Sequence, residues 1–248
     1  VLPVVAAFVV ACIVFAAARH GLVEAPLRTL LAPLAVLLPG ALLVTAMAEL
    51  VTGHMVAGTS RLGYGLVQVL LFTLGILGAA RLLPLASADL ANVRINDIGW
   101  YAEPLGLVLV TLAIALLESP PPRLVPWIFV VLVLAFGAQV AGQALGGAVG
   151  GAFLGALVAI LGSYAVESVV PRLARLVVFL PSFWLLVPGS LGVLAATQVA
   201  VDPTADADVL GVVGIVAAIA LGLLLGAAIA QGLGGIARRR SVARRAGD

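Results

Sequence analysis

Glu49 is the only carboxylate in the run VLLPGALLVTAMAELVTGHMVAGTSRL, residues 36–62, and His54 and Arg61 follow it. A carboxylate within an apolar helix is expensive unless it is paired, hydrated or protonated, and a group under that constraint can load and release a proton. Close to the helix end the same residue reads equally well as an ordinary interfacial carboxylate. His54, directly after Gly53, is placed either to relay that proton or to sit in a solvated turn. Upstream, Pro39-Gly40 interrupts the apolar run. Proline lacks the amide hydrogen and clashes with the preceding turn, so the pair leaves backbone groups without helical partners. In lipid those groups need protein or water, which is why discontinuous helices are where transporters build substrate and ion sites. Thr45, between the break and Glu49, adds a neutral hydrogen-bonding hydroxyl.

A second Pro-Gly pair stands at Pro188-Gly189. Laid on the first, VLLPGALLVTAMAE (36–49) faces LLVPGSLGVLAATQ (185–198) at a constant offset of 149 residues, with Gln198 where Glu49 stands. Thr197 and Gln198 supply uncharged hydrogen-bonding groups suited to the ammonium and hydroxyl of a zwitterion, and the backbone at Pro39, Gly40, Pro188 and Gly189 could meet its charged ends. Interhelical hydrogen bonding accounts for Thr197 and Gln198 equally well.

The elements that must carry these groups are membrane helices. With 63% hydrophobic and 10% charged residues, most side chains could not face water. The fold expected is all-α, a polytopic helical bundle of about eight spans: 1–18, a broken 29–50, 62–82, 105–117, 125–140, 144–166, a broken 176–200 and 210–236. The fifth and sixth form a hairpin. Gly142, Gly146 and Gly150, and Gly147, Gly151 and Gly155, recur at spacing four there, which suits close helix packing or a glycine-lined path. The organisation expected is a first membrane repeat over 1–102, a second over 103–237 and a basic tail over 238–248, the two halves running in opposite senses.

Charge orients the bundle. The tail RRRSVARR, residues 238–245, fits a stop-transfer cluster facing anionic headgroups rather than nucleic acid. A cytoplasmic tail places nine Arg inside and four outside. The single cysteine, Cys12, can make neither an intrachain disulfide nor a thiolate metal site. No HExxH, Walker loop or dinucleotide fingerprint is present, the two histidines are poor haem ligands, and no nucleophile motif surrounds Ser190, so neither an enzyme nor a cofactor is expected.

PGALLVTAMAELVTGHMVAGTSRL resembles, without a gap, the signature of the threonine/serine exporter family, roughly PGxxLTNAxRDLxxGDxxSGxxRL. RLVVFLPSFWLLVPGSLG is similar to the proline-rich segment of that family's second membrane half. Pro39, Gly40, Gly53, Gly58 and Arg61 keep the pattern, while Thr45, Ala48, Glu49, His54 and Ala57 stand for the family's Asn, Arg, Asp, Asp and Ser. The resemblance implies proton-coupled export of small hydroxy amino acids across the cytoplasmic membrane, with ten spans behind a soluble region. The first spans and that region are then expected to be absent here or to lie on a partner chain, and a homo-oligomer is the other arrangement in view. A channel or exporter for another metabolite, or a membrane scaffold, is the alternative.

Overall fold

The computed structural model describes residues 1–83, 99, 101–170, 176–186, 193, 195–197 and 209–247. Every regular element among them is helical. The chain divides into two compact units, Val1–Gly99 with Val187–Val216, and Trp100–Leu186 with Ala217–Asp248.

In the first unit, α1 (Leu2–Arg19) is followed by two single turns, α2 (Pro26–Thr29) and α3 (Leu31–Leu34), and a 3₁₀ turn at Ala35–Leu37. Then come α4 (Gly40–Val51) and the long α5 (Met55–Leu82). α1 and α5 pack closely. A β-carbon placed on Gly75 of α5 would lie 2.4 Å from the Val4 carbonyl oxygen of α1. Ala7, Ala11 and Phe15 of α1 and Phe72, Ile76 and Ala79 of α5 are buried. Lipid tails are as apolar as leucine, so it is this intimacy of contact, rather than escape from water, that holds two such helices together.

α4 and α5 form an antiparallel hairpin. Gly58 lies against Leu50 and Ala46, and Gly65 against Leu43 and Leu42, so contacts move up one helix as they move down the other.

The second unit contains α6 (Ala102–Glu118), a 3₁₀ turn at Pro122–Leu124, α7 (Val125–Val169), α8 (Leu176–Leu186) and, from Ala217 onward, most of α9 (Val209–Gly247). Within α7, Gly146 (φ −142°, ψ 26°) and Gly147 (φ 63°, ψ −158°) leave helical geometry. At that point the helix folds back on itself. Gly142 faces Gly150, Gln139 faces Gly151 and Gly155, and Val131 faces Gly162. The fifth and sixth spans expected from sequence are the two arms of this hairpin, each roughly 30 Å long for about 20 residues.

The glycines therefore do not form one stripe on one helix. They divide across the turn and face one another, because the left-handed φ at Gly147 reverses the chain. A β-carbon on Gly142 would lie 2.5 Å from the Gly150 carbonyl oxygen, which leaves no path between the arms at this level. α9 packs on the second arm in the same way, with Gly222 against Phe153 and Gly226 against Leu157 and Ile160.

Among the described residues, four helices are long and apolar enough to cross a membrane, or five if the bent pair Pro26–Leu37 and Gly40–Leu50 counts as one span. The difference from eight has structural sources. The stretch Pro122–Val169, with both arms of the α7 hairpin, counts as one of the four; α6 has 17 residues and α8 has 11. The Pro188-Gly189 break of the second broken span falls outside the described residues. Buried hydroxyls are satisfied within their own helices: Thr73 donates to Val69 O at 3.0 Å, Thr111 to Leu107 O at 2.8 Å and Ser163 to Ile160 O at 2.7 Å. This is how a helix carries a hydroxyl in hydrocarbon without a partner helix.

Candidate functional site: an ion pair at the end of a bent helix

The site is built on α4. Leu38 is extended (φ −67°, ψ 140°), as steric conflict with a following proline ring favours. Pro39 then caps α4, and the axes before and after the break differ by 67°. Pro39 and Gly40 are both buried. At its other end α4 closes on Thr52 and Gly53. Gly53 adopts φ +86°, its N–H donates to Leu50 O at 3.1 Å, and the His54 N–H reaches Glu49 O at 2.8 Å. That pair of bonds is a Schellman cap, which needs a left-handed residue after the last turn.

Gly53→Ala is expected to destabilise this turn by about 1 kcal/mol, because a β-carbon is strained at this φ although nothing lies within 4 Å of it. Thermal unfolding of the purified protein would register the loss, and Gly53→Asn should fall between the two.

The cap places Glu49 in the last turn of α4 and brings the second turn of α5 beside it. Arg61 Nη1 donates to Glu49 Oε1, twelve residues away in sequence. The Glu49 side chain is 23% exposed and that of Arg61 43%. The other carboxylate oxygen, Oε2, is buried and accepts no hydrogen bond among the described residues. A carboxylate at a helix C-terminus opposes the helix dipole, so the guanidinium offsets both that field and the partial desolvation. At 28 residues α5 is roughly 40 Å long, more than the hydrocarbon core of about 30 Å, so its Arg61 end is within reach of the headgroup layer.

The remaining residues singled out from sequence are placed unevenly. Thr45 is exposed on α4. Thr197 is 1% exposed and its hydroxyl donates to Val193 O at 2.8 Å, the same inward satisfaction as the other buried hydroxyls. The His54 ring is exposed, with Nδ1 3.0 Å from Thr52 Oγ1. That hydroxyl has one proton and also lies 2.9 Å from Ala48 O and 3.1 Å from Glu49 O. If it donates to a carbonyl, His54 carries its proton on Nδ1 and donates back. Pro188, Gly189 and Gln198 lie outside the described residues.

Arg61 is the group that sequence reasoning passed over as a partner. From the sequence it reads only as a charge following Glu49 and as a position that keeps the family pattern. The overlooked cue is Gly53, which marks a chain reversal, so that charges on either side of it come together.

Helices long enough to cross a bilayer, one of them bent, with an ion pair at the turn that follows, define an integral membrane protein. Within it, residues 1–83 match the model of the family described as "Putative threonine/serine exporter" (ThrE), a match that takes in α1 to α5 and the Glu49–Arg61 pair. The match covers 83 of 248 residues, and together with the apolar helices it fits membrane transport. No curated protein and no solved structure matches the chain.

Proposed function

We propose that this protein is a secondary transporter that exports small hydroxy amino acids, threonine or serine, across the cytoplasmic membrane in exchange for protons. One observation carries the reading: a glutamate paired through one oxygen, with its second oxygen buried and unpartnered, at the end of a bent helix inside the segment that matches the exporter family.

The chemistry follows from the pair. Protonating Glu49 removes both the charge that holds Arg61 and the charge that would hold a substrate ammonium. Deprotonated, Glu49 offers Oε2 to an ammonium. Substrate and proton would thus compete for one carboxylate, which is the minimum that exchange of one for the other requires. His54 and Thr52, on the exposed side of the same turn, would exchange protons with water. The backbone at Pro39-Gly40 and Pro188-Gly189, with Thr45, Thr197 and Gln198, completes the proposed binding set. An inverted duplication with a cytoplasmic C-terminus is the topology that goes with it.

The test is efflux of labelled threonine, serine, alanine and lysine from proteoliposomes under an imposed pH gradient. Uphill movement of threonine and serine that collapses with a protonophore is expected. Flux that only runs downhill would indicate a channel, and no flux would indicate a scaffold.

A further inference from the structure

We propose that the second unit carries a separate binding site for an organic ammonium ion, a short apolar body ending in a protonated amine, in the cavity beneath the turn ESPPPR. The cavity has a volume of about 220 Å³. That is far above the roughly 15 Å³ that a single water needs. Ile114 and Leu117 of α6, Ile128 of α7 and Leu180 of α8 form its apolar wall, and Glu118 is the only ionisable lining group among the described residues.

Backbone chemistry points the same way. In a helix the carbonyls of Leu116, Leu117 and Glu118 would look to the N–H groups of residues 120, 121 and 122, and all three are proline. Leu116 O accepts only a long 3.4 Å bond from Ser119 Oγ among the described residues. α6 therefore ends with its partial negative charge little offset by donors. On the opposite side, Pro181 inside α8 denies Val177 O its regular donor. Leu117, Glu118 and Val177 all line the cavity, and among the described residues no cationic side chain does. Acceptors and one negative charge over an apolar floor call for a cation with several N–H donors and an alkyl or aryl tail. A carboxylate ligand would meet repulsion, and an alcohol could satisfy one acceptor only.

The purified full chain in phosphatidylcholine nanodiscs, titrated calorimetrically at neutral pH with n-hexylamine, n-hexanol and hexanoate, tests the site. Saturable hexylamine binding is expected, at least about tenfold tighter than hexanol, with none for hexanoate. Glu118→Gln, a substitution at an exposed helix end, should weaken hexylamine about tenfold and leave hexanol unchanged. Leu180→Trp should abolish both by filling the space. Absence of saturable hexylamine binding, or hexanol binding as tight as hexylamine, overturns the proposal; so does a Glu118→Gln variant that binds hexylamine like the wild type. Repeating the titration in phosphatidylethanolamine nanodiscs separates sources. Competition there identifies a lipid headgroup as the occupant, and undiminished binding identifies a free amine.

Discussion

Glu49→Gln is expected to lower pH-gradient-driven threonine efflux by about a hundredfold, the low end of what loss of a proton-carrying group removes, while the protein still inserts and purifies. Glutamine keeps the shape and an acceptor for Arg61 Nη1 but can neither gain nor lose a proton. Because the Arg61 side chain is 43% exposed, leaving it without a counter-charge should destabilise the fold by only about 1 kcal/mol, well below the loss for a fully buried pair. A large transport defect with a small stability defect is therefore the signature. Arg61→Gln makes the complementary comparison. It strands a carboxylate with one oxygen already buried and unpartnered, so its loss of stability should be the larger of the two. Efflux by Glu49→Gln at the wild-type rate would remove this residue from the mechanism.

Gly142→Val is expected to be the most damaging single substitution in the second unit. The new side chain would start 2.5 Å from Gly150 O and 2.9 Å from Gly151 Cα, both backbone atoms that cannot swing aside. The hairpin arms would have to separate, and in lipid nothing but their contact holds them. A loss of about 3 kcal/mol or more, seen as a lower thermal midpoint and reduced monodisperse yield, follows. Gly137→Val is the control. It lies on the same arm with nothing within 4 Å of its would-be β-carbon, and should change little. Equal behaviour of the two variants would show that the arms are not packed as described.

Much of this was legible in the sequence because each feature is local. Composition forces membrane helices, since 63% hydrophobic residues leave no aqueous alternative. The break at Pro39 and the cap at Gly53 follow from what proline and glycine do to the backbone, independent of neighbours. Glu49 stands out because any carboxylate in such a run does.

Only the tertiary structure decided the rest, because it depends on which distant groups meet. Spacing of four across Gly142, Gly146 and Gly150 assumes an unbroken helix; the turn at Gly146-Gly147 folds those glycines onto each other instead. The partner of Glu49 is twelve residues away on the next helix, a pairing fixed by how α4 and α5 pack and not by any periodicity. Thr197, chosen for its chemistry, donates its hydroxyl proton to its own helix, so only the oxygen's lone pairs are left to offer a ligand. The identity of a polar group is written in the chain. Whether it is available to a ligand depends on burial and on its neighbours, and those are properties of the packed molecule alone.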